Sequence, residues 1–327
     1  MIKKTKFIKS KLVAASIAFF GFASATWAQD YPNRAVTLVV SYPAGGTLDA
    51  VARVIAPQLG KILGEGVVVL NKGGASGAIA ESYVARSKPD GYTILLDASN
   101  YTQNAVLRSN LGFDPIKDLT PISALLTVPN ILVSSSKSNF KSINDVISQG
   151  KAPHNNIDMA SSGVGSGQYL AGLLFNRLAG TKIQQVTYSG GGQALVDVLS
   201  GRIPLMFITA SAPLPYIRSG ALRALAVGDT ERLAVLPDVP TVSESAVPGF
   251  VSNEWHAIFV PTGTPAPIIN KLSAAFSEIV RDTSIAKTLT DLGCRISDLN
   301  TAKTQVFVRK EISNLKDLAQ RENLKLE

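Results

Sequence analysis

Ser41-Tyr42-Pro43-Ala44-Gly45-Gly46-Thr47-Leu48-Asp49 decides the fold. Before it runs 35–40, apolar with little alternation, the pattern of a strand covered on both faces. After it comes 48–63, where Val51, Val54, Ile55, Leu59 and Ile62 share one helical face and Gly64 supplies the stop. Strand, glycine-rich turn and helix together are the repeating unit of an open α/β sheet. In such a sheet the turn lies at the carboxyl end of its strand, where ligands bind.

Two further stretches have the same shape: Ser161-Ser162-Gly163-Val164-Gly165-Ser166-Gly167 and Tyr188-Ser189-Gly190-Gly191-Gly192-Gln193. Glycine lets the backbone bend tightly and come close to a ligand. A helix N-terminus leaves N–H donors unpaired and carries partial positive charge. It can hold a carboxylate or phosphate without an arginine. Neither stretch is a nucleotide fingerprint: Gly163-Val164-Gly165 lacks the third glycine at the required spacing, and no Gly-Lys-Ser/Thr follows any turn. Three such junctions predict a cleft that binds a small anion.

The rest of the chain keeps the alternation. Strands are expected at 67–70, 93–96, 131–133, 157–160, 185–188, 205–207, 224–227 and 257–260. Helices are expected at 79–86, 142–148, 168–178, 193–200, 213–219, 268–281, 284–292 and 302–324. This order implies parallel sheets with helices on both faces. Proline-rich turns at 236–240, 248–249 and 261–267 suggest a crossing between lobes. The polar segment Ser99-Asn100-Tyr101-Thr102-Gln103-Asn104 leaves the third strand either as a solvated loop with helix capping or with Ser99, Asn100 and Tyr101 on the cleft wall, sorting ligands by shape and hydrogen bonding.

The N-terminus sets the compartment. Lys3, Lys4, Lys6, Lys9 and Lys11 precede an apolar core at 12–23, then small residues to Ala28. That is the order of a secretory signal peptide, expected to be cleaved after Ala28 or after Ala25. The core is shorter than the roughly 20 residues of a membrane span. Removing five lysines lowers the net charge from +8 to +3, with the remaining cations scattered among acids. Nucleic acid is therefore not an expected partner. Cys294 is the one cysteine and His154 and His256 the only histidines, too few for a zinc site or a thiol–histidine enzyme. No cofactor or metal is expected.

The chain resembles the periplasmic solute-binding proteins of tripartite tricarboxylate transporters, the Bug-type receptors. The resemblance rests on Tyr31-Pro32-Asn33-Arg34 before Pro43-Ala44-Gly45-Gly46, on Pro89-Asp90-Gly91-Tyr92-Thr93, on Ser162-Gly163-Val164-Gly165-Ser166, and on Tyr188 with Gly190-Gly191-Gly192-Gln193. Leu222-Arg223-Ala224-Leu225-Ala226-Val227, Leu236-Pro237-Asp238-Val239-Pro240-Thr241, Trp255 and Pro261-Thr262-Gly263-Thr264-Pro265 follow in order. It implies an α/β fold of two lobes, type II-like, each a mostly parallel sheet flanked by helices, with a hinge of crossing strands near 126–130 and 252–257. Lobe 1 is expected over 29–128 plus 254–327 and lobe 2 over 129–253. It implies a monomer in the periplasm of a Gram-negative cell. Such a protein captures a di- or tricarboxylate, amino acid or aromatic acid for a membrane permease of that type or a sensor.

The resemblance also implies that the first and third turns hold one carboxylate through main-chain N–H groups and bridging waters. Together with the residue reading it makes these the candidate ligand-binding residues: Tyr42, Ala44, Gly45, Gly46, Thr47 and Asp49; Ser99, Asn100 and Tyr101; Ser162, Gly163, Gly165 and Ser166; Tyr188, Gly190, Gly191 and Gly192; and Thr209. Asp49 can also serve only the helix dipole, worth about 0.3–1 kcal/mol. Three departures from the family, Leu48, Tyr169 and Ile208-Thr209, suggest a less polar cleft suited to an apolar or aromatic ligand body. The competing reading is a secreted α/β hydrolase with Ser76 of Gly74-Ala75-Ser76-Gly77-Ala78 as nucleophile and His256 as base, although 71–73 extends the loop before Ser76.

Overall fold

The computed structural model describes residues 31–322 except 189 and 246; the expected signal peptide lies outside the described residues. The chain opens with β1 (Val36–Val40), α1 (Thr47–Leu63) and β2 (Val67–Asn71). A short 3-10 turn, Ala75–Gly77, leads into α2 (Ala78–Ala85), β3 (Thr93–Ala98), α3 (Asn100–Leu107) and α4 (Pro115–Asp118). The long β4 (Leu119–Ser135) then runs from one lobe into the other. The second lobe holds α5 (Ile143–Gly150), β5 (Asp158–Ser161), α6 (Gly167–Ala179), β6 (Gln184–Thr187) and α7 (Gly191–Ser200). It continues with β7 (Leu205–Thr209), α8 (Leu214–Arg218), β8 (Leu222–Val227) and α9 (Val242–Ser245). The chain returns on β9 (Asn253–Pro261) and ends with α10 (Ala266–Arg281), α11 (Thr283–Asp291), β10 (Arg295–Leu299) and α12 (Thr301–Glu322).

The sheet runs β2-β1-β3-β9-β4-β7-β5-β6, with β8 and β10 also paired to β4. Parallel pairing joins β1 to β2 and β3, and β5 to β6 and β7. Antiparallel pairing gathers at the crossing strands, where β9 meets β3 and β4, and where β4 meets β7, β8 and β10. The parallel expectation thus describes the outer strands of each lobe, and the crossing strands add the antiparallel seam. Residues 119–129 of β4 pair with β9, and 130–134 pair with β7. Where the partner changes, Asn130 N–H donates to Ser252 O, Gly228 N–H to Asn130 O and Ser252 N–H to Gly228 O.

Local sequence explains the elements. α1 buries Leu48, Val51, Ala52, Ile55 and Leu59 against the sheet, and Gly64 ends it at φ +78 with its N–H on Gly60 O. α5 starts with a capping box in which Ser142 and Asp145 satisfy each other's N–H groups. Behind the second lobe, Phe175, Phe207 and Phe250 pack ring to ring. Behind the first, Tyr101, Trp255 and Phe259 do the same, with Phe307 of α12 on Trp255. Each buried aromatic contributes on the order of 1.5–3 kcal/mol by leaving water. These clusters fix both sheets from behind and leave the carboxyl ends of β1, β3, β5, β6 and β7 to the loops.

Candidate functional site

The first turn is held by Asp49 rather than completed by a ligand at that residue. Asp49 is 4% exposed, and both carboxylate oxygens are engaged. Oδ2 accepts from Gly45 N–H at 2.9 Å and Arg53 Nε at 2.9 Å; Oδ1 accepts from Asn71 Nδ2 at 3.0 Å. Asn71 also donates to Tyr42 O at 3.1 Å. Burial works against the Asp49 charge, but the bonds from Arg53, Gly45 and Asn71 outweigh it and hold the carboxyl below its ordinary value. Gly45 sits at φ +89, where a side chain would be strained, and Pro43, Ala44, Gly45 and Gly46 stay exposed. Gly46 caps α1 without a side-chain bond.

The second and third turns lie side by side. A methyl group on Gly163 would meet Tyr188 O at 3.5 Å, and one on Gly191 would meet Ser162 Cβ at 3.7 Å. In the second turn Ser166 caps α6, its Oγ accepting from Tyr169 N–H at 3.1 Å. Gly163 and Gly165 take φ +129 and +75. In the third turn Gly190 caps α7 without a side-chain bond, followed by Gly191 and Gly192 at the helix start. Tyr188 turns away from the gap: its hydroxyl donates to Asp197 Oδ2 at 2.7 Å, while Arg202 donates to Oδ1. The two turns without a side-chain cap are therefore the first and the third.

Two contacts between the lobes flank the gap, apart from the ion pairs of Arg295 with Asp229 and Glu231 beside the crossing strands. Thr47 shares a hydrogen bond with Ser211 and lies 3.5 Å from the Thr209 hydroxyl, so the first turn meets the loop after β7. On the other flank the Gln103 carboxamide of α3 donates to Gly165 O at 2.6 Å and accepts from Gly167 N–H at 3.3 Å. Between these contacts, on the crossing strand β9, stands Glu254. Its Oε1 accepts from Gln168 Nε2 at 2.8 Å, and Gln168 Oε1 accepts from the Ser162 hydroxyl.

Several candidates are placed otherwise than expected. Tyr101 is 1% exposed, packs on Phe259, and donates its hydroxyl to Pro115 O at 2.8 Å; it belongs to the core and not to a cleft wall. Asn100 is buried, and its Nδ2 donates to Ser76 O, Asp97 Oδ1 and Glu81 Oε1. The segment from Ser99 is thus no solvated loop: α3 starts at Asn100, and Ser99, half-buried before it, keeps access at the end of β3. Leu48 and Ile208, expected to make the cleft less polar, are in the core. Tyr169 is half-buried, and its N–H is taken by the Ser166 cap. The side chains that meet across the gap are polar: Thr47, Gln103, Thr209 and Ser211. Ser211, Gln103, Gln168 and Glu254 were missed in the sequence; the one available signal was an acid, Glu254, at the head of an otherwise apolar strand.

The hydrolase pair is not assembled. No hydrogen bond joins Ser76 to His256 among the described residues. Burial drives the His256 pKa down to about 3, and its Nδ1 has no carboxylate to orient it. Ser76 sits at φ +51, and its carbonyl is held by Asn100 and Asn104, both at 2.9 Å. Cys294 is buried, which pushes its thiol up to about 12. No cluster of three or more metal-ligating side chains occurs among the described residues. A separate groove of about 860 Å³ runs along the outer side of α1 and β2, open to solvent and away from the second and third turns.

Known proteins resemble the chain along most of its length. A family model described as tripartite tricarboxylate transporter family receptor matches residues 51–324. Protein BugT of Bordetella pertussis is 34% identical over 303 residues, 92% of this chain and 93% of BugT. Among solved structures, the periplasmic binding protein BugD superposes with TM-score 0.83 at 31% identity, over 91% of this chain and 100% of BugD. The R. palustris protein Rpa4515, solved with adipate, superposes with TM-score 0.85 at 32% identity, over 90% of this chain and 99% of its own. The two-lobed α/β architecture of this chain is theirs.

Proposed function

The chain belongs to the tripartite tricarboxylate transporter receptor family, and from that premise we propose that it captures a small organic carboxylate between its lobes and presents it to a membrane permease of that type or to a sensor. One observation carries this: α1 and α7 both begin at glycine caps without a side-chain partner, at the first and third turns. Their N–H groups and helix dipoles are the donors a buried carboxylate needs in place of water. The solved relative with adipate supports the same chemistry. Gly46 and Thr47, Gly190, Gly191 and Gly192 are the proposed anion contacts, and Gly45, whose N–H is taken by Asp49, shapes the first turn. Ser162, Gly163, Gly165, Ser99 and Thr209 line the remaining walls.

Capture works by hinge closure. Lobe 1 spans 29–128 plus 254–327 and lobe 2 spans 129–253 in this proposal, turning about 126–130 and 252–257. The backbone bonds among Asn130, Gly228 and Ser252 sit on that line. A carboxylate first docks on one lobe, and the other then completes the shell. The signal peptide, cleaved after Ala28 or Ala25, delivers a periplasmic monomer.

The test begins with mass spectrometry of whatever co-purifies with the mature protein. A thermal-shift panel of organic acids follows. A true ligand at a hundredfold excess over its dissociation constant stabilises the fold by about 2.7 kcal/mol. A panel in which no di-, tri- or amino-carboxylate raises the melting temperature, with nothing co-purifying, overturns the proposal. Ester hydrolysis lost on Ser76→Ala would move the weight to the hydrolase.

A further inference from the structure

Glu254 is an acid in a place where an anion receptor has reason to avoid one. It pairs with Val128 in the β4–β9 crossing. It reaches the first two turns. A methyl group on Gly167 would come within 3.1 Å of its Oε1, Gln168 donates to that same oxygen, and its charge acts on Tyr42. Protein surrounds the side chain, yet it keeps contact with solvent, as a residue on the floor of a narrow gap would. No cation is among the groups acting on it; its hydrogen-bond partner is the neutral Gln168. Arg53, the cation of the first turn, is committed to Asp49. The floor therefore holds a carboxyl whose charge no cation of the protein balances, and its ionised form is costly until a donor meets it.

We propose that Glu254 is the second anchor for the ligand: it accepts a hydrogen bond from the ammonium of an amino-carboxylate whose carboxylate rests on the α1 and α7 N-termini, and it turns away dicarboxylates of the same length. This rests on the carboxylate capture proposed above and names its ligand class. The polar walls agree with it, since the Thr47 and Thr209 hydroxyls suit a small polar ligand better than an apolar body. Burial pushes the Glu254 carboxyl up to about 7 against the Gln168 bond, and an adjacent ammonium would draw it back down and keep it ionised. The proposal separates this chain from the relative that carries adipate.

The alternative role of Glu254 is only to hold the second turn through Gln168, and the test separates the two. Calorimetry on the mature protein compares α- and ω-amino-carboxylates with unbranched dicarboxylates of matched chain length. Wild type should prefer the amino member of at least one pair by about tenfold or more, the size of one charge-assisted hydrogen bond. Glu254→Gln keeps the shape and removes the charge, and it should bring that ratio within about threefold, with the dicarboxylate gaining. Gln168→Ala should leave the preference standing. The proposal falls if wild type binds the dicarboxylates as well or better, if Glu254→Gln leaves the ratio unchanged, or if Gln168→Ala reproduces its effect. Wild-type selectivity decides the matter even where a variant fails to fold. If no carboxylate binds at all, the capture reading falls too; if carboxylates bind without regard to an amine, only this inference falls.

Discussion

Asp49 gives both of its oxygens to the protein, and so acts on a ligand through the backbone of Gly45 rather than by contact. Asp49→Ala leaves the Gly45 N–H without an acceptor and takes from the Asn71 amide one of its two. It is expected to cost about 1–3 kcal/mol in chemical denaturation, and to weaken carboxylate binding because the first turn loses its shape; unchanged affinity would show that the turn does not touch the ligand. A second buried acid system lies behind that turn. Glu81 and Asp97 are buried together and linked through the Asn100 amide, which donates to both, and the Ser41 hydroxyl donates to Asp97 at 2.6 Å. Burial raises Asp97 to about 6, and burial together with the Asp97 charge raises Glu81 well above its ordinary value. Carboxyl groups raised in the folded state stabilise it fully below their unfolded pKa, and that stability is lost as pH rises through the folded value. Buried neutral His256 acts oppositely, but only between about 3 and its ordinary 6.5. Above pH 6.5, where His256 no longer acts, the melting temperature should fall as the raised carboxyls lose their protons, and Glu81→Gln should flatten that fall. A wild-type melting temperature that rises over this range would contradict the raised values. The glycines of the site were legible in the sequence because their positive φ and helix starts are local properties. Gln103, Ser211 and Glu254 were not, because each reaches the site from another part of the fold. Tyr101 and Asn100 had suitable chemistry but the wrong direction, and direction is set by what α3 packs against.

α6 shows how an element can resemble its neighbours in sequence and differ in role. It begins in a glycine-rich turn like α1 and α7, but Ser166 already fills its first orphan donors. Ser166→Ala should cost about 1 kcal/mol of stability, the usual value of an N-cap. It should leave carboxylate affinity nearly unchanged, because the anion is assigned to the two glycine-capped helices. A large loss of affinity without loss of stability would instead place the anion on α6. The same comparison explains what the sequence hid among the elements. Periodicity located α1, α6, α7 and α10 within a residue or two, since each has a buried stripe and a clear stop. It reduced the 17-residue β4 to 131–133, because Pro121 and Pro129 read as breaks. In the fold Pro121 stands beside a register shift, and Pro129 stands where β4 leaves β9 for β7, two places a strand can lack a donor. β10 was missed because RISDL carries no apolar run; it is held by pairing to β4, a tertiary cause. α3 was missed because its Asn100, Gln103 and Asn104 look solvated but are buried, Asn100 and Asn104 around Glu81 and Asp97 and Gln103 against the second turn.

At the scale of the molecule, the lobes are joined twice over: covalently by the crossing strands, and across the gap by Thr47 with Ser211 and Gln103 with the second turn. In the proposed hinge closure, the crossing bonds among Asn130, Gly228 and Ser252 lie on the turning line and need not break when the lobes separate. The contacts across the gap must break. Closure is then an equilibrium that these two contacts and the ligand pull in one direction, and the apparent affinity is the intrinsic affinity scaled by the fraction of molecules able to close. Removing both contacts with Ser211→Ala and Gln103→Ala, neither of them a proposed ligand contact, should shift the ligand-free protein toward a larger radius of gyration in small-angle scattering. Ligand added to saturation should restore the compact form. Affinity should fall by roughly three- to tenfold, almost all of it as faster dissociation, because variants of one interface differ far more in off-rate than in on-rate. An unchanged off-rate in the double variant, with an unchanged radius in both states, would mean that the Thr47–Ser211 and Gln103 contacts take no part in retention, which would then fall to the crossing strands and the Arg295 ion pairs beside them.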